Sequence, residues 1–239
     1  MKILSIDTSS QNCSIAIIEA STPDNFKILS QKNSNDERTH SQKLMPMIEE
    51  IFNESNLSLK DINLSACCVG PGSFTGIRIG IATVKAFCDS QNIPVIGVTS
   101  LESLAYNLNI DGTIFSIIDA KNENVYVAGF NCNNKMYSLK LSPFADNIHS
   151  ALNKCSDLSK ESDNIYFIGT GSTLFKDLIK EKFGNYKFCI SGNNEQSAIS
   201  LAKCAFEKYL NKDFGDSNSI SPTYLRKSQA ERIADGESN

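Results

Sequence analysis

Between Ala66 and Asp89 the chain reads ACCVGPGSFTGIRIGIATVKAFCD, and no other stretch restricts the fold as much. A short apolar run, Ala66–Val69, meets a Gly-Pro-Gly turn that opens directly into a segment of helical spacing. On a helical wheel from Phe74 to Asp89, only Arg78, Lys85 and Asp89 form a narrow polar stripe. Ile77, Ile81, Val84 and Cys88 fill one face, while Gly76, Gly80, Thr83 and Phe87 fill another. A helix that is apolar over most of its circumference must be covered on more than one side. The chain's own core covers one side, so a second layer or a second protein has to cover the other. Gly76 and Gly80 lie one helical turn apart, and each costs about 1 kcal/mol relative to alanine. A packing reason is the economical account, and close approach of another helix backbone is the expectation.

The loop Gly70-Pro71-Gly72-Ser73-Phe74-Thr75-Gly76 invites a phosphate-binding reading, because N–H groups at a helix N-terminus attract anions. It fails the specific tests. A dinucleotide fingerprint needs glycine where Thr75 stands, and a P-loop needs Lys-Ser/Thr where Ile77-Arg78 stands. A rigid turn that positions the helix is the better reading. A second helix is expected over Ser41–Asn53, with Leu44, Met47 and Ile51 on one ridge and Met45, Ile48 and Phe52 on the next. One ridge can face the core and the other a partner; a single broad core face is the alternative.

The length of 239 residues lies between one and two ordinary domains. A formal net charge of −4 with scattered Lys and Arg gives no basic footprint for gripping a nucleic-acid backbone unaided. Eight cysteines include no C-x-x-C pair and sit mostly among apolar neighbours, as small core residues do in a reducing compartment. With only His40 and His149 to add imidazole, a zinc site is not expected. Asp7 interrupts any signal-peptide core, and no apolar run approaches the roughly 20 residues that span a bilayer. The expected location is the cytoplasm, away from membranes.

Strands are expected at Lys2–Ile6, Cys13–Glu19, Phe26–Gln31, Ser65–Val69 and Ile93–Val98, the last followed by a short helix capped by Thr99. The pattern then restarts. ILSID-TSSQN-CSIAI and FSIID-AKNEN-VYVAG share an apolar strand, a terminal Asp, a five-residue turn and a returning strand. Two lobes of related α/β topology follow, residues 1–107 and 108–226, with their Asp-bearing turns facing a shared cleft. The last helix is free to return to the first lobe, and residues 227–239 read as a flexible tail. In the second lobe come a strand at Met136–Leu141, a helix capped by Ser142-Pro143, a strand at Asn164–Ile168, and helices at Ser172–Phe183 and Glu195–Leu210. Asp7 with Thr8, Asp119, and the Gly169–Gly171 turn are candidates for a nucleotide cleft. Strand-terminal Asp and Gly-x-Gly are equally ordinary turn chemistry. No cysteine has a base partner at local spacing, so nucleophilic catalysis has little support.

MKILSIDTS (Met1–Ser9), HSQKLMP (His40–Pro46), GPGSFTGIRIG (Gly70–Gly80), IGVTS (Ile96–Ser100), IDA (Ile118–Ala120) and PTYLR (Pro222–Arg226) together resemble the TsaB family. The resemblance runs from the first strand to about Arg226. It implies a two-lobed actin/hexokinase-like fold of the ribonuclease H-like, ASKHA class. It also implies a bacterial subunit of the pathway that makes threonylcarbamoyladenosine beside the anticodon of tRNA. The catalytic paralogue in that pathway, TsaD, carries two metal-binding histidines one helical turn apart, and the matching positions here are Ser100 and Leu104. Neither replaces a histidine ligand well, so the resemblance implies a non-catalytic scaffold without a resident cofactor, with at most weak nucleotide binding. The implied partners are TsaD in a heterodimer and TsaE in a ternary complex. TsaC supplies the activated intermediate, and tRNA is reached only through the complex. The implied partner face comprises Leu44, Met45, Ile48, Phe52, Gly76, Ile77, Gly80, Thr83, Val84 and Phe87, and in isolation the same face pairs two copies. One departure is visible: where the family carries an acid before Val-Tyr of the second-lobe hairpin, this chain has Asn124, with Glu123 adjacent. The competing expectation is a lone ATP-dependent kinase or ATPase; its weak point is the first turn, Thr8-Ser9-Ser10, which lacks a glycine.

Overall fold

KILSID forms strand β1 (Lys2–Asp7), buried almost throughout because it lies at the centre of a five-stranded sheet. A strand covered on both faces needs apolar or small residues at every position rather than at alternate ones. The computed structural model describes residues 1–23, 25–34, 39–159 and 164–226, and they divide into two compact units.

The first unit comprises Met1–Tyr106 and Gln196–Thr223. β1 pairs antiparallel with β2 (Cys13–Thr22) and parallel with β4 (Leu64–Cys68), while β3 (Asn25–Ser34) and β5 (Val95–Val98) form the edges. Leu4, Ile6 and Ile15 point into a cluster with Leu44 and Ile51 of α1 (His40–Ser55) and Ile77 and Val84 of α2 (Phe74–Gln91). Ile3, Ala16 and Leu64 point the other way, onto Leu201, Ala205 and Phe206 of α7 (Ala198–Leu210). The period of two along each strand sorts these side chains. The stretch 196–223 folds with the first unit, the return that the sequence left open for the last helix, because α7 supplies the second cover of its sheet. Tyr106 of this unit donates its hydroxyl to Glu207 of α7, and Lys208 pairs with Glu102 of α3 (Ser100–Ala105) at 3.0 Å.

The second unit comprises Asn107–Glu195 and the described residues from Tyr224 on. Its strands are β6 (Gly112–Asp119), β7 (Asn124–Asn133), β8 (Met136–Asn147), β9 (Ile165–Ile168) and β10 (Phe188–Ile190). Their order, β10-β9-β6-β7-β8, is the order of the first sheet, β3-β2-β1-β4-β5, read from the opposite edge. In each sheet the first strand lies centrally, antiparallel to its hairpin partner and parallel to a later strand. The same α/β topology, a mixed sheet flanked by helices, is thus repeated in the two units, as expected for a two-lobed fold of this kind. Phe167 anchors the core, with Phe183 edge-on at 4.8 Å between ring centroids.

Besides the short strand β10, which the sequence reading lacks, the structure differs from it around β8, the helix after it and the helix after β9. Ser142-Pro143 caps no helix; it lies inside β8, where pairing slips from Gly129↔Leu141 to Val127↔Phe144. β8 is an edge strand, and an irregularity there accommodates a residue without an N–H. Helix α4 (Ile148–Ser159) begins later, where Asn147 Oδ1 accepts the His149 N–H at 3.0 Å. The single helix expected over 172–183 is two, α5 (Thr170–Leu174) and α6 (Lys176–Phe183), divided at Phe175. The tail expected over 227–239 lies outside the described residues. Among them, no helix is long and apolar enough to cross a membrane.

Candidate functional site

The turn after β1 lies directly against the start of α2. Ser73, the N-cap, donates its N–H to the Ser9 carbonyl at 2.6 Å, and its own hydroxyl accepts the Gly76 N–H at 3.2 Å. Two of the N–H groups at this helix start, those of Ser73 and Gly76, are thus engaged by the chain itself. Thr8 Oγ1 donates to the Gly76 carbonyl at 2.7 Å. A Cβ on Gly72 would stand 2.1 Å from the Ser9 oxygen, one on Gly76 2.0 Å from the Thr8 oxygen, and one on Gly80 2.4 Å from Thr8 Oγ1. The three glycines, four residues apart, form a track on which the Thr8–Ser9 turn rests.

This geometry revises the expected partner face. Gly76 and Gly80 admit no outside helix, because Thr8 of the same unit occupies the space beside them. Leu44, Ile48, Ile77 and Val84 are buried to within a few per cent in the unit's own core. Of the expected set, Met45 is 52% exposed, and Phe52, Thr83 and Phe87 are half-buried. The face that α2 leaves uncovered is completed by residues the sequence reading passed over: half-buried Ile79 and exposed Ala82 and Ala86. The available signal was helical spacing, i, i+4 from Ile79 to Thr83 and from Ala82 to Ala86, and i, i+3 from Thr83 to Ala86.

Two titratable groups sit beside the turn. Asp7 is 1% exposed; Oδ1 accepts from the Ser9 N–H and hydroxyl at 2.8 and 2.7 Å. Burial pushes its carboxyl pKa up despite those bonds. His40, the first residue of α1, donates Nε2–H to the Ser10 carbonyl at 2.7 Å. Burial holds its pKa below the usual histidine value; the Ser10 bond and Asp7 oppose this, and Lys43 adds to it. Protonation adds a hydrogen at Nδ1, which is buried and has no hydrogen-bond partner. Below the ordinary histidine pKa of about 6.5 the folded state then binds fewer protons at His40 than the unfolded state, so stability falls as pH drops through that value toward the lowered one. In His40→Gln, whose amide keeps the donor to Ser10, denaturant titrations from pH 7 downward are expected to lose this component of the slope. An unchanged slope would remove His40 as its source.

The positions matching the paralogue's metal-binding histidines are packed. Ser100 is fully buried and donates its hydroxyl to the Pro71 carbonyl at 2.5 Å; Leu104 is fully buried in the apolar interior. Among the described residues no three His, Cys, Asp or Glu side chains converge as a metal set would. Burial also raises the thiol pKa of Cys67 and Cys68, and that of Cys155 to about 12, which makes them poor nucleophiles.

In the second unit the other candidate residues are brought together. The Asp119 N–H donates to Thr170 Oγ1 at 3.2 Å, and its carboxylate takes the Lys121 N–H and ammonium at 2.8 and 2.9 Å. Gly169, at φ +103°, donates its N–H to Asn194 Oδ1 at 2.9 Å. A Cβ on Gly171 would meet Ile117 Cγ2 at 2.6 Å, so that glycine seats α5 on β6. Asn124, at the departure from the family pattern, donates Nδ2–H to the Lys121 and Asn122 carbonyls at 3.3 and 2.7 Å. It thereby closes a turn in which Lys121, Asn122 and Glu123 all have positive φ.

Residues 27–234 match the family model described as TsaD: tRNA N6-adenosine threonylcarbamoyltransferase. The chain is 30% identical to the tRNA threonylcarbamoyladenosine biosynthesis protein TsaB of Bacillus subtilis, over 97% of this chain and 96% of that one. It is 25% identical to the TsaB of Haemophilus influenzae, over 95% of this chain and 94% of that one. Among solved structures, YeaZ from Pseudomonas aeruginosa superimposes with a TM-score of 0.73 at 21% identity, covering 94% of this chain and 99% of that one. A second Pseudomonas aeruginosa structure, described as similar to peptidase YeaZ, reaches 0.77 at 22% identity with the same coverage. These two likenesses concern the fold.

Proposed function

Because the chain belongs to the TsaB family of tRNA threonylcarbamoyladenosine biosynthesis proteins, we propose that it serves that pathway as a non-catalytic subunit that binds TsaD and holds it in an active form. The observation that carries this reading is the face of Ile79, Ala82, Thr83, Ala86 and Phe87 on α2: Ala82 and Ala86 are exposed, and Ile79, Thr83 and Phe87 are only partly covered, Ile79 and Phe87 lying against the rim of the first unit's core. Small and apolar residues along one side of an exposed helix suit helix-on-helix packing at about 8–10 Å between axes. Buried Ser100 and Leu104 at the paralogue's ligand positions support the non-catalytic half of the proposal.

The pair would then offer a surface to TsaE and receive the activated intermediate made by TsaC, with tRNA held by the assembly rather than by this acidic chain alone. In isolation the same face would join two copies through a two-fold contact.

Mass determination after mixing the chain with TsaD of the same source is expected to show a 1:1 complex. Threonylcarbamoyl transfer should require TsaD and be absent from this chain alone. Transfer by the lone chain, or a mixture that stays dissociated at micromolar concentration, would refute the proposal. Calorimetry of the lone chain with Mg-ATP adds a direct check on the kinase alternative, for which turnover would be the deciding result.

A further inference from the structure

The outer edge of β5 opens into a cavity of about 330 Å³ within the first unit, bounded by the end of β4 and by residues 213–223. Along an extended strand, the N–H and C=O of successive residues point to opposite edges. Val95 sends both outward, exchanging bonds with Gly215 at 2.9 and 3.1 Å in an isolated antiparallel bridge. Val98 faces the other way, since its carbonyl accepts the Val69 N–H at 3.0 Å. Gly97 is in phase with Val95, so its N–H and C=O point out into the cavity. The chain that would have continued the pairing leaves after Gly215, makes a 3₁₀ turn at Ser217–Ser219 and returns through Ile220 and Thr223. Among the described residues, no backbone group takes up the Gly97 pair on that side.

The walls favour one kind of occupant. A Cβ at position 97 would lie 3.0 Å from Val69 Cγ1 and 3.3 Å from Ile220 Cγ2, so the floor behind the polar pair is apolar and closely packed. Phe214 borders the cavity, remains 46% exposed and is held against Tyr209, with ring centroids 5.0 Å apart and planes at 27°. An aromatic ring fixed in advance stacks on a flat ligand at little entropic cost. A donor beside an acceptor, next to a fixed aromatic face, matches the edge and face of a planar heterocycle that carries the complementary pair. The volume is at the small end of ligand pockets, which run about 300–1,000 Å³, and it is large enough for a base.

We propose that this cavity is a nucleobase-binding site, read by the Gly97 backbone pair and stacked by Phe214. It stands apart from the TsaD-binding proposal, since none of its residues belongs to the uncovered face of α2, and either can fail without the other.

The test is titration of the full-length ¹⁵N-labelled chain with uridine, adenosine and ribose, followed at the Gly97 amide. A saturable shift with at least one nucleoside, and none with ribose, is expected. Methylating the edge donor, as in 3-methyluridine or N6,N6-dimethyladenosine, should weaken binding about tenfold, because the buried carbonyl is left unpaired. Phe214→Ser should weaken it about tenfold as well, through lost base stacking. The methylated probes leave the protein unaltered, so the contact is tested even if that variant folds poorly. A Gly97 amide unmoved by both nucleosides, or methylated bases that bind as tightly as their parents, would overturn the proposal.

Discussion

Gly76→Ala is expected to lower the unfolding free energy by about 3 kcal/mol or more, at the upper end of single-methyl insertions into a packed interior. The added carbon would stand 2.0 Å from a backbone oxygen, that of Thr8, and 2.9 Å from the His40 ring. Neither can withdraw cheaply: the Thr8 carbonyl belongs to a turn tied to Ser73, and the imidazole is bonded to Ser10. Either α2 moves away from the sheet or the turn detaches. Thermal or denaturant unfolding measures the loss. A Gly76→Ala variant within about 0.5 kcal/mol of the parent, the range of an ordinary surface change, would mean that the turn does not rest on the helix.

Gly80 gives a sharper version of the same contact, because there the obstacle is the tip of one short side chain. Gly80→Ala alone should destabilise by about 1–3 kcal/mol through overpacking against Thr8 Oγ1. Thr8→Ala alone should cost about 1 kcal/mol through the lost bond to the Gly76 carbonyl. In the double variant the clash is absent and alanine's helix preference returns about 1 kcal/mol. The two changes should therefore couple favourably by more than about 1 kcal/mol, as neighbours sharing a contact do. Strict additivity would exclude the direct contact.

The second large effect concerns association. Ala82→Arg with Ala86→Arg places two long charged side chains at exposed positions of α2, where they can extend into solvent. The expected result is an unchanged thermal midpoint and a loss of TsaD binding of at least about a hundredfold, as when unpaired charge is forced into a packed interface. Mass determination of the mixture, beside a melting curve of each protein, reads both. Retained complex would move the docking surface off α2.

The repeated strand–turn–strand units were legible because each carries its own signal, an apolar run ending in Asp and a returning strand. So was the start of α2, where Gly-Pro-Gly and Ser73 mark a helix boundary. The role of Gly76 and Gly80 was not. A glycine records only that something comes close, and the atom that does so lies some seventy residues earlier in the chain. The same long-range gap hid the division of the α2 face. Periodicity separates apolar from polar positions, but Ile77, Val84, Thr83 and Phe87 looked equally eligible until the core buried the first two fully and left the other two partly exposed. β10 escaped for a local reason, being only three residues long. Pro143 misled because a proline normally argues against a strand, and only its place on an edge allows it.

The return of α7 to the first sheet also has a bearing on biosynthesis. A chain is made from its N-terminus, and Ile3, Ala16 and Leu64 leave the ribosome long before Leu201, Ala205 and Phe206 can cover them. One side of the earliest sheet is then bare, with its apolar strands open to chaperones or to misfolding, while the whole second unit is being translated. Closure of the first unit has to wait until residues 198–210 have been made.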